Sequence, residues 1–181
     1  MTIFAYAIKL LIAGLFLHAG ISKLNPQNQH YYQGVVQGYG FTDSSFKLGS
    51  LLNIIPFIIG GFETLTALAI VIQQTTSFGL VAAAALLGLY GAIFAKQLLQ
   101  GKADINCGCA GPGADVKISP MLLLRNGVLV ALCVFALLVE SSSFAASWFV
   151  VLPLAAVLSL IYLSSEQLML NQQKIQMLRE S

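Results

Sequence analysis

The chain has 181 residues, of which 57% are hydrophobic and 9% charged, with a formal net charge of +2 and a mean hydropathy of +0.83. A soluble domain carries about 25% charged residues, and its folded surface still has to be wetted. Composition therefore excludes an ordinary water-soluble enzyme and a disordered chain, and the small, scattered charge excludes a nucleic-acid binder.

What remains is an integral membrane protein whose partner is the lipid bilayer. At about 20 residues per span, the chain has room for four or five helices and short loops. The first apolar stretch, about 3–24, contains Lys9 and His18. It has no basic leader and no small-residue cleavage site, so it reads as a retained span. Asn25-Pro26-Gln27-Asn28-Gln29-His30 follows, a polar break in which proline ends the helix. Tyr31 to Tyr39 is aromatic, Gly-punctuated and too short to span, which suits the headgroup zone.

A second span, about 51–72, holds Pro56, Gly60, Gly61 and Glu63. Gln73-Gln74-Thr75-Thr76 turns into a third span, 77–98, whose Ala and Gly content suits close packing in lipid. The longest polar interval, 99–120, carries Cys107 and Cys109, and a fourth span, 121–139, begins directly after Pro120. Ser141-Ser142-Ser143 makes the next turn, before a fifth span at 147–163. Residues 165–181 set Leu168, Ile175 and Leu178 among Gln, Lys and Glu, as an amphipathic tail does. The expected architecture is an all-α polytopic membrane helix bundle over 1–164, with a four-helix core and a fifth transmembrane helix.

Five spans put the chain ends on opposite sides. Lys9 is the only base near one side, while Lys23, Lys47, Lys96, Lys102, Lys117, Arg125, Lys174 and Arg179 collect on the other. By the positive-inside rule the second side, which includes the cysteine loop, is cytoplasmic.

Three cysteines at this spacing do not make a disulfide framework of the kind that staples small secreted domains. Cys107 and Cys109 can close only a small, strained ring, and Gly108 between them helps the backbone bend. A strained disulfide is easier to reduce, so the pair suits exchange. Lys102, Lys117 and Arg125 favour thiolate, and Asp104 and Asp115 oppose them. Two other roles remain open: two thiolates ligating a soft metal ion, or an inert tight loop. Cys133 falls about 18 Å along a helix from Met121 and reads as a buried packing residue.

Ionisable groups inside a membrane are costly and therefore functional candidates. Glu63 falls near the middle of the second span, where an unpaired carboxylate would stay protonated and a partner such as Arg125 or His18 would instead keep it ionised. His18 lies about 9 Å inside the cysteine-side end of its helix, and Arg125 about one turn into the fourth span. Together they suggest a polar pocket beneath the cysteine loop, able to hold a quinone headgroup or to shuttle a proton. The plain alternative is a set of buried hydrogen bonds, and Lys23 at the helix end is expected to snorkel to the interface.

Several of these features together resemble the MauE/DoxX group of membrane proteins. They are Ala19-Gly20-Ile21-Ser22-Lys23-Leu24, Gly61-Phe62-Glu63, the Cys107-Gly108-Cys109 loop and Leu124-Arg125-Asn126. A cysteine loop followed by Arg-Asn is more similar to the methylamine-utilisation MauE branch. The resemblance covers about residues 5–140. It implies a four-helix core in the bacterial inner membrane and thiol redox work beside a thioredoxin-like partner, in maturing a disulfide-rich enzyme subunit. That work is periplasmic, whereas the base count puts the cysteines at the cytoplasmic face.

The expected function is thus thiol–disulfide exchange through Cys107 and Cys109, with His18, Glu63 and Arg125 near a quinone or a proton path and no dedicated metal site. A carrier or binder of a soft metal or small solute is the alternative from another class. A non-catalytic assembly partner is the third.

Overall fold

The computed structural model describes residues 2–39, 49–102, 105–109, 111–112, 116–139 and 148–180. Lys47, Asp104, Asp115 and the Ser141–Ser143 turn lie outside the described residues. The helices, in chain order, are α1 (Thr2–Leu24), α2 (Gln29–Gly38), α3 (Gly49–Val71), α4 (Thr76–Leu99), α5 (Pro120–Leu138) and α6 (Trp148–Glu180). A single 3₁₀ turn, Pro26–Asn28, joins α1 to α2. Among the described residues there is no strand, only an isolated antiparallel bridge between Asn106 and Lys117.

Five of the helices, α1, α3, α4, α5 and α6, are long and apolar enough to cross a membrane. Their outer faces carry exposed apolar side chains such as Phe78, Val81, Leu138 and Phe149. Lipid, unlike water, imposes no cost on such a surface, while the helical ladder satisfies the backbone. The chain is therefore an all-α, multi-pass membrane bundle. One feature differs from the sequence expectation. The fifth span and the tail form a single 33-residue helix, α6, which runs unbroken past Ser164 and Ser165. Serine is only mildly unfavourable in a helix, and Ser165 bonds the Tyr162 carbonyl through its own hydroxyl at 2.6 Å.

α1 lies at the centre, packed along α3, α5 and α6, and α4 closes the bundle between α3 and α5. The main core is built from Ile8, Ile12 and Phe16 of α1, with Ala67, Leu80 and Leu129 from three neighbours. Cys133 is fully buried in this core as a packing residue.

The α1–α3 crossing decides where the polar groups go. A Cβ on Gly20 would stand 2.8 Å from the Gly60 carbonyl, and one on Gly60 would stand 2.9 Å from the Lys23 Cβ. Only glycine at both positions lets the backbones approach this closely, as small residues do at membrane helix interfaces. The approach sets Lys23, one turn beyond Gly20, against Glu63, one turn beyond Gly60.

Candidate functional site

At this crossing Lys23 Nζ donates to both carboxylate oxygens of Glu63, at 2.7 and 2.9 Å. The Tyr90 hydroxyl of α4 donates to Glu63 Oε1 at 2.6 Å. Glu63 is 2% exposed and Lys23 8%. The partner of Glu63 is thus Lys23, not Arg125 or His18 as its sequence position suggests. Lys23 correspondingly turns inward and does not snorkel. The Gly20–Gly60 approach brings its Cβ next to α3, so the shortest path for its ammonium leads to the carboxylate rather than to the interface.

The end of α1 is tied down by the segment that follows it. Gln29 Nε2 donates to the Lys23 carbonyl at 2.6 Å, and Asn28 Nδ2 donates to the Ser22 carbonyl at 2.9 Å. The Tyr32 hydroxyl reaches Ser22 Oγ at 2.9 Å, and the Lys23 ammonium stands 5.7 Å from the centre of the Tyr32 ring. Burial pushes the Tyr32 phenol above its usual value. The stretch read as an interfacial segment is a helix, α2, folded over the mouth of the bundle.

The cysteine loop rests on this lid. Its arms pair through Cys107 N–H to the Val116 carbonyl at 2.8 Å and Ile118 N–H to the Ile105 carbonyl at 3.0 Å. The sulfurs of Cys107 and Cys109 meet, with their Cα atoms 5.3 Å apart. Gly108 has φ +69°, and a Cβ there would also press on Val35 of α2 at 3.0 Å. Both demands select glycine at the centre of the pair. Tyr39 donates its hydroxyl to the carbonyls of Asn106 and Cys107, at 3.2 and 3.4 Å. Burial holds the Tyr39 phenol well above its usual value, so it stays a donor. From the other side, Gln173 of α6 brackets the loop. Its Oε1 accepts from the Lys117 N–H at 3.1 Å, and its Nε2 donates to the Lys117 carbonyl at 2.9 Å.

Cys107 is 6% exposed and packs with Phe94, Val116, Ile118 and Leu122, whereas Cys109 is half-buried. The two cysteines are therefore unequal, with Cys109 the more exposed residue. Beneath them lies a cavity of about 1010 Å³, and Cys107, Cys109, His18, Glu63 and Arg125 all line it. His18 is exposed at its edge. Arg125 stands with its guanidinium 5.2 Å from the centre of the Tyr162 ring. The Nε and Nη1 atoms of Arg125 and Nδ2 of Asn126 are buried with no hydrogen-bond partner among the described residues. Among those residues no cluster of three His, Cys, Asp or Glu side chains is arranged to hold a metal ion.

Tyr90, Tyr162 and Gln173 are not singled out in the sequence, and Tyr39 and Asn126 enter it only as the end of an aromatic stretch and as part of the Leu124-Arg125-Asn126 motif. Tyr90 carries the strongest signal in retrospect, as the lone phenol in an Ala- and Gly-rich span.

Five membrane-crossing helices, with a cysteine pair seated over a buried ion pair and an apolar cavity, define a polytopic membrane protein with a thiol site at one end. Residues 1–139 match the family described as methylamine utilisation protein MauE. The chain belongs to the MauE family. It is 33% identical over 127 residues to the methylamine utilization protein MauE of Paracoccus denitrificans, covering 70% of this chain and 64% of that protein. It is 29% identical over 131 residues to the protein of the same description from Paracoccus versutus, covering 72% of this chain and 67% of that one. The chain thus spans just under two thirds of the Paracoccus denitrificans protein, and α6 follows the end of the family match. No solved structure matches it.

Proposed function

We propose that the protein is a thiol–disulfide exchange protein of the bacterial inner membrane, serving methylamine utilisation by helping to form disulfides in a partner enzyme. The observation that carries this is the seating of Cys107 and Cys109 sulfur to sulfur over the cavity, one buried and one half-buried. A thiolate of a thioredoxin-like partner attacks Sγ of Cys109, the more exposed residue, and Cys107 leaves as thiolate. The partner's second thiolate then attacks its own bound sulfur, releasing Cys109. The partner gains one disulfide, and the Cys107–Cys109 pair gains two electrons and two protons. A membrane-soluble quinone is the electron sink that returns the pair to the oxidised state.

Disulfides persist on the oxidising side of the membrane. This favours the periplasmic face for the loop, opposite to the side that the base count assigns. Lys23 and Arg125 belong to that count, yet both turn into the bundle rather than into the loops.

The test is trapping. With Cys107→Ser, the Cys109 thiolate attacks the disulfide of the oxidised partner, the reverse of the exchange above, and is expected to accumulate as a mixed disulfide, separable by non-reducing electrophoresis and identified by mass spectrometry. Cys109→Ser is expected to trap far less, because the remaining thiol is buried. Absence of any adduct from both variants overturns exchange. Stoichiometric metal in the purified protein that disappears on replacing both cysteines would establish the soft-metal alternative instead.

A further inference from the structure

The buried polar groups of the cavity fall into two sets. On one wall Glu63 has its acceptors engaged by the Lys23 ammonium and the Tyr90 hydroxyl. On α5 the situation is reversed: Arg125 Nε, Arg125 Nη1 and Asn126 Nδ2 are donors with no acceptor among the described residues, and Asn126 is 4% exposed. Leaving a buried donor unsatisfied is costly, and more so when it is charged. Three on adjacent residues mark a place where acceptor oxygens belong.

The position of these donors is fixed by helix geometry. Leu122 packs in the cluster around Cys107. Arg125 and Asn126 follow it by three and four residues, so they share its face one turn further in, about 5 Å along the axis. The donors therefore sit beneath the cysteine pair, lining the same cavity.

Charge and access narrow the occupant. Among the described residues, Lys23, Glu63, Arg125 and Glu166 are the charged side chains that line the cavity, two of each sign. Such a balanced wall favours an uncharged head with acceptor oxygens over a phosphate or a carboxylate. Phe62, Leu89 and Leu163 line the cavity and are 61%, 56% and 53% exposed, so apolar side chains edge its opening. The cavity is thus open to the apolar face of the bundle, and its ligand arrives from the lipid phase.

We propose that Arg125 and Asn126 form the headgroup site of a lipid-soluble quinone, donating to its carbonyl oxygens beneath Cys107 and Cys109. Glu63 is not a headgroup ligand here; with Lys23 and Tyr90 it forms the opposite, self-satisfied wall. The redox half of this assignment rests on the exchange function proposed above. In that step two S–H bonds break and one S–S bond forms between Cys107 and Cys109. Two electrons and two protons pass to the quinone, whose two carbonyls become the hydroxyls of the quinol.

Binding can be separated from thiol chemistry with the Cys107→Ser/Cys109→Ser variant of the full chain, purified in detergent. Decylubiquinone is expected to bind this variant saturably and at one equivalent, read by calorimetry. Adding Asn126→Leu or Arg125→Lys is expected to weaken binding at least tenfold. Arg125→Lys keeps the charge, so it guards against a simple loss of fold, which gel filtration checks. Failure of decylubiquinone to bind, or binding untouched by both changes, overturns the site while leaving exchange with a partner intact. Where binding holds, reduced wild-type protein is expected to convert one decylubiquinone to quinol per cysteine pair, read by the loss of quinone absorbance. Binding without turnover overturns the redox half alone.

Discussion

Removing one member of the Lys23–Glu63 pair is expected to harm the protein more than removing both. Glu63 is 2% exposed and receives the Lys23 ammonium at 2.7 and 2.9 Å and the Tyr90 hydroxyl at 2.6 Å. Glu63→Gln keeps the shape and an oxygen for Tyr90, but it leaves the Lys23 ammonium buried beside an amide. Breaking a buried ion pair in this way costs about 3–5 kcal/mol. For a chain of this length each kcal/mol moves Tm by about 2–4 °C. Glu63→Gln and Lys23→Met are therefore each expected to lower Tm by on the order of 10 °C. The double variant buries no charge and should recover most of that loss, since apolar replacement of a whole buried pair is often neutral. Tm is read from the fraction surviving gel filtration after stepwise heating in one detergent. Single losses that simply add in the double variant would show that the two residues are uncoupled, and would refute the pairing as the organiser of the α1–α3 crossing.

The loop and its supports give three further expectations. Gly108→Ala places a side chain at φ +69° and against Val35 at 3.0 Å, a strain of about 1–2 kcal/mol. It should lower the oxidised fraction of the cysteine pair at a fixed glutathione ratio, and an unchanged fraction refutes the role of glycine. Gln173→Leu removes both bonds to the Lys117 backbone, each worth about 1 kcal/mol. Faster alkylation of reduced Cys107 should follow, with little change at the already more exposed Cys109; equal effects at both, or at neither, would refute the clamp. Finally, an impermeant maleimide added to reduced, intact spheroplasts should label Cys109. Labelling confined to inverted vesicles would return the loop to the cytoplasmic side and remove a periplasmic client from consideration.

Much of the bundle is legible from composition because lipid leaves few options. An apolar run of sufficient length has to be a helix, and Pro26 and Pro120 stand at helix ends as their positions in the sequence suggest. The boundary that fails is the one at Ser164. Polar residues there suggest a break, yet helix propensity and the docking of Gln173 on Lys117 carry α6 straight through. Within the site, the sequence identifies residues that line one cavity but not how they pair. The choice of Lys23 for Glu63 depends on the register of the α1–α3 crossing, which Gly20 and Gly60 set by steric fit. No periodicity within one helix encodes that register. The same holds for Tyr39 and Gln173, whose roles exist only once α2 and α6 have folded against the cysteine loop.

The ion pair also has a history during synthesis. Lys23 is at the end of α1, and Glu63 belongs to the next membrane-spanning helix of the chain to emerge. Until α3 arrives, the Lys23 ammonium has no internal carboxylate and its long side chain can reach the headgroups. Once α3 lies against α1, that same side chain is withdrawn into the bundle and held at 2.7 Å from Glu63. Lateral association of the two hydrophobic segments is thus coupled to moving one positive charge inward from the membrane surface. Nascent chains that stall before residue 63 would leave α1 inserted but unlatched.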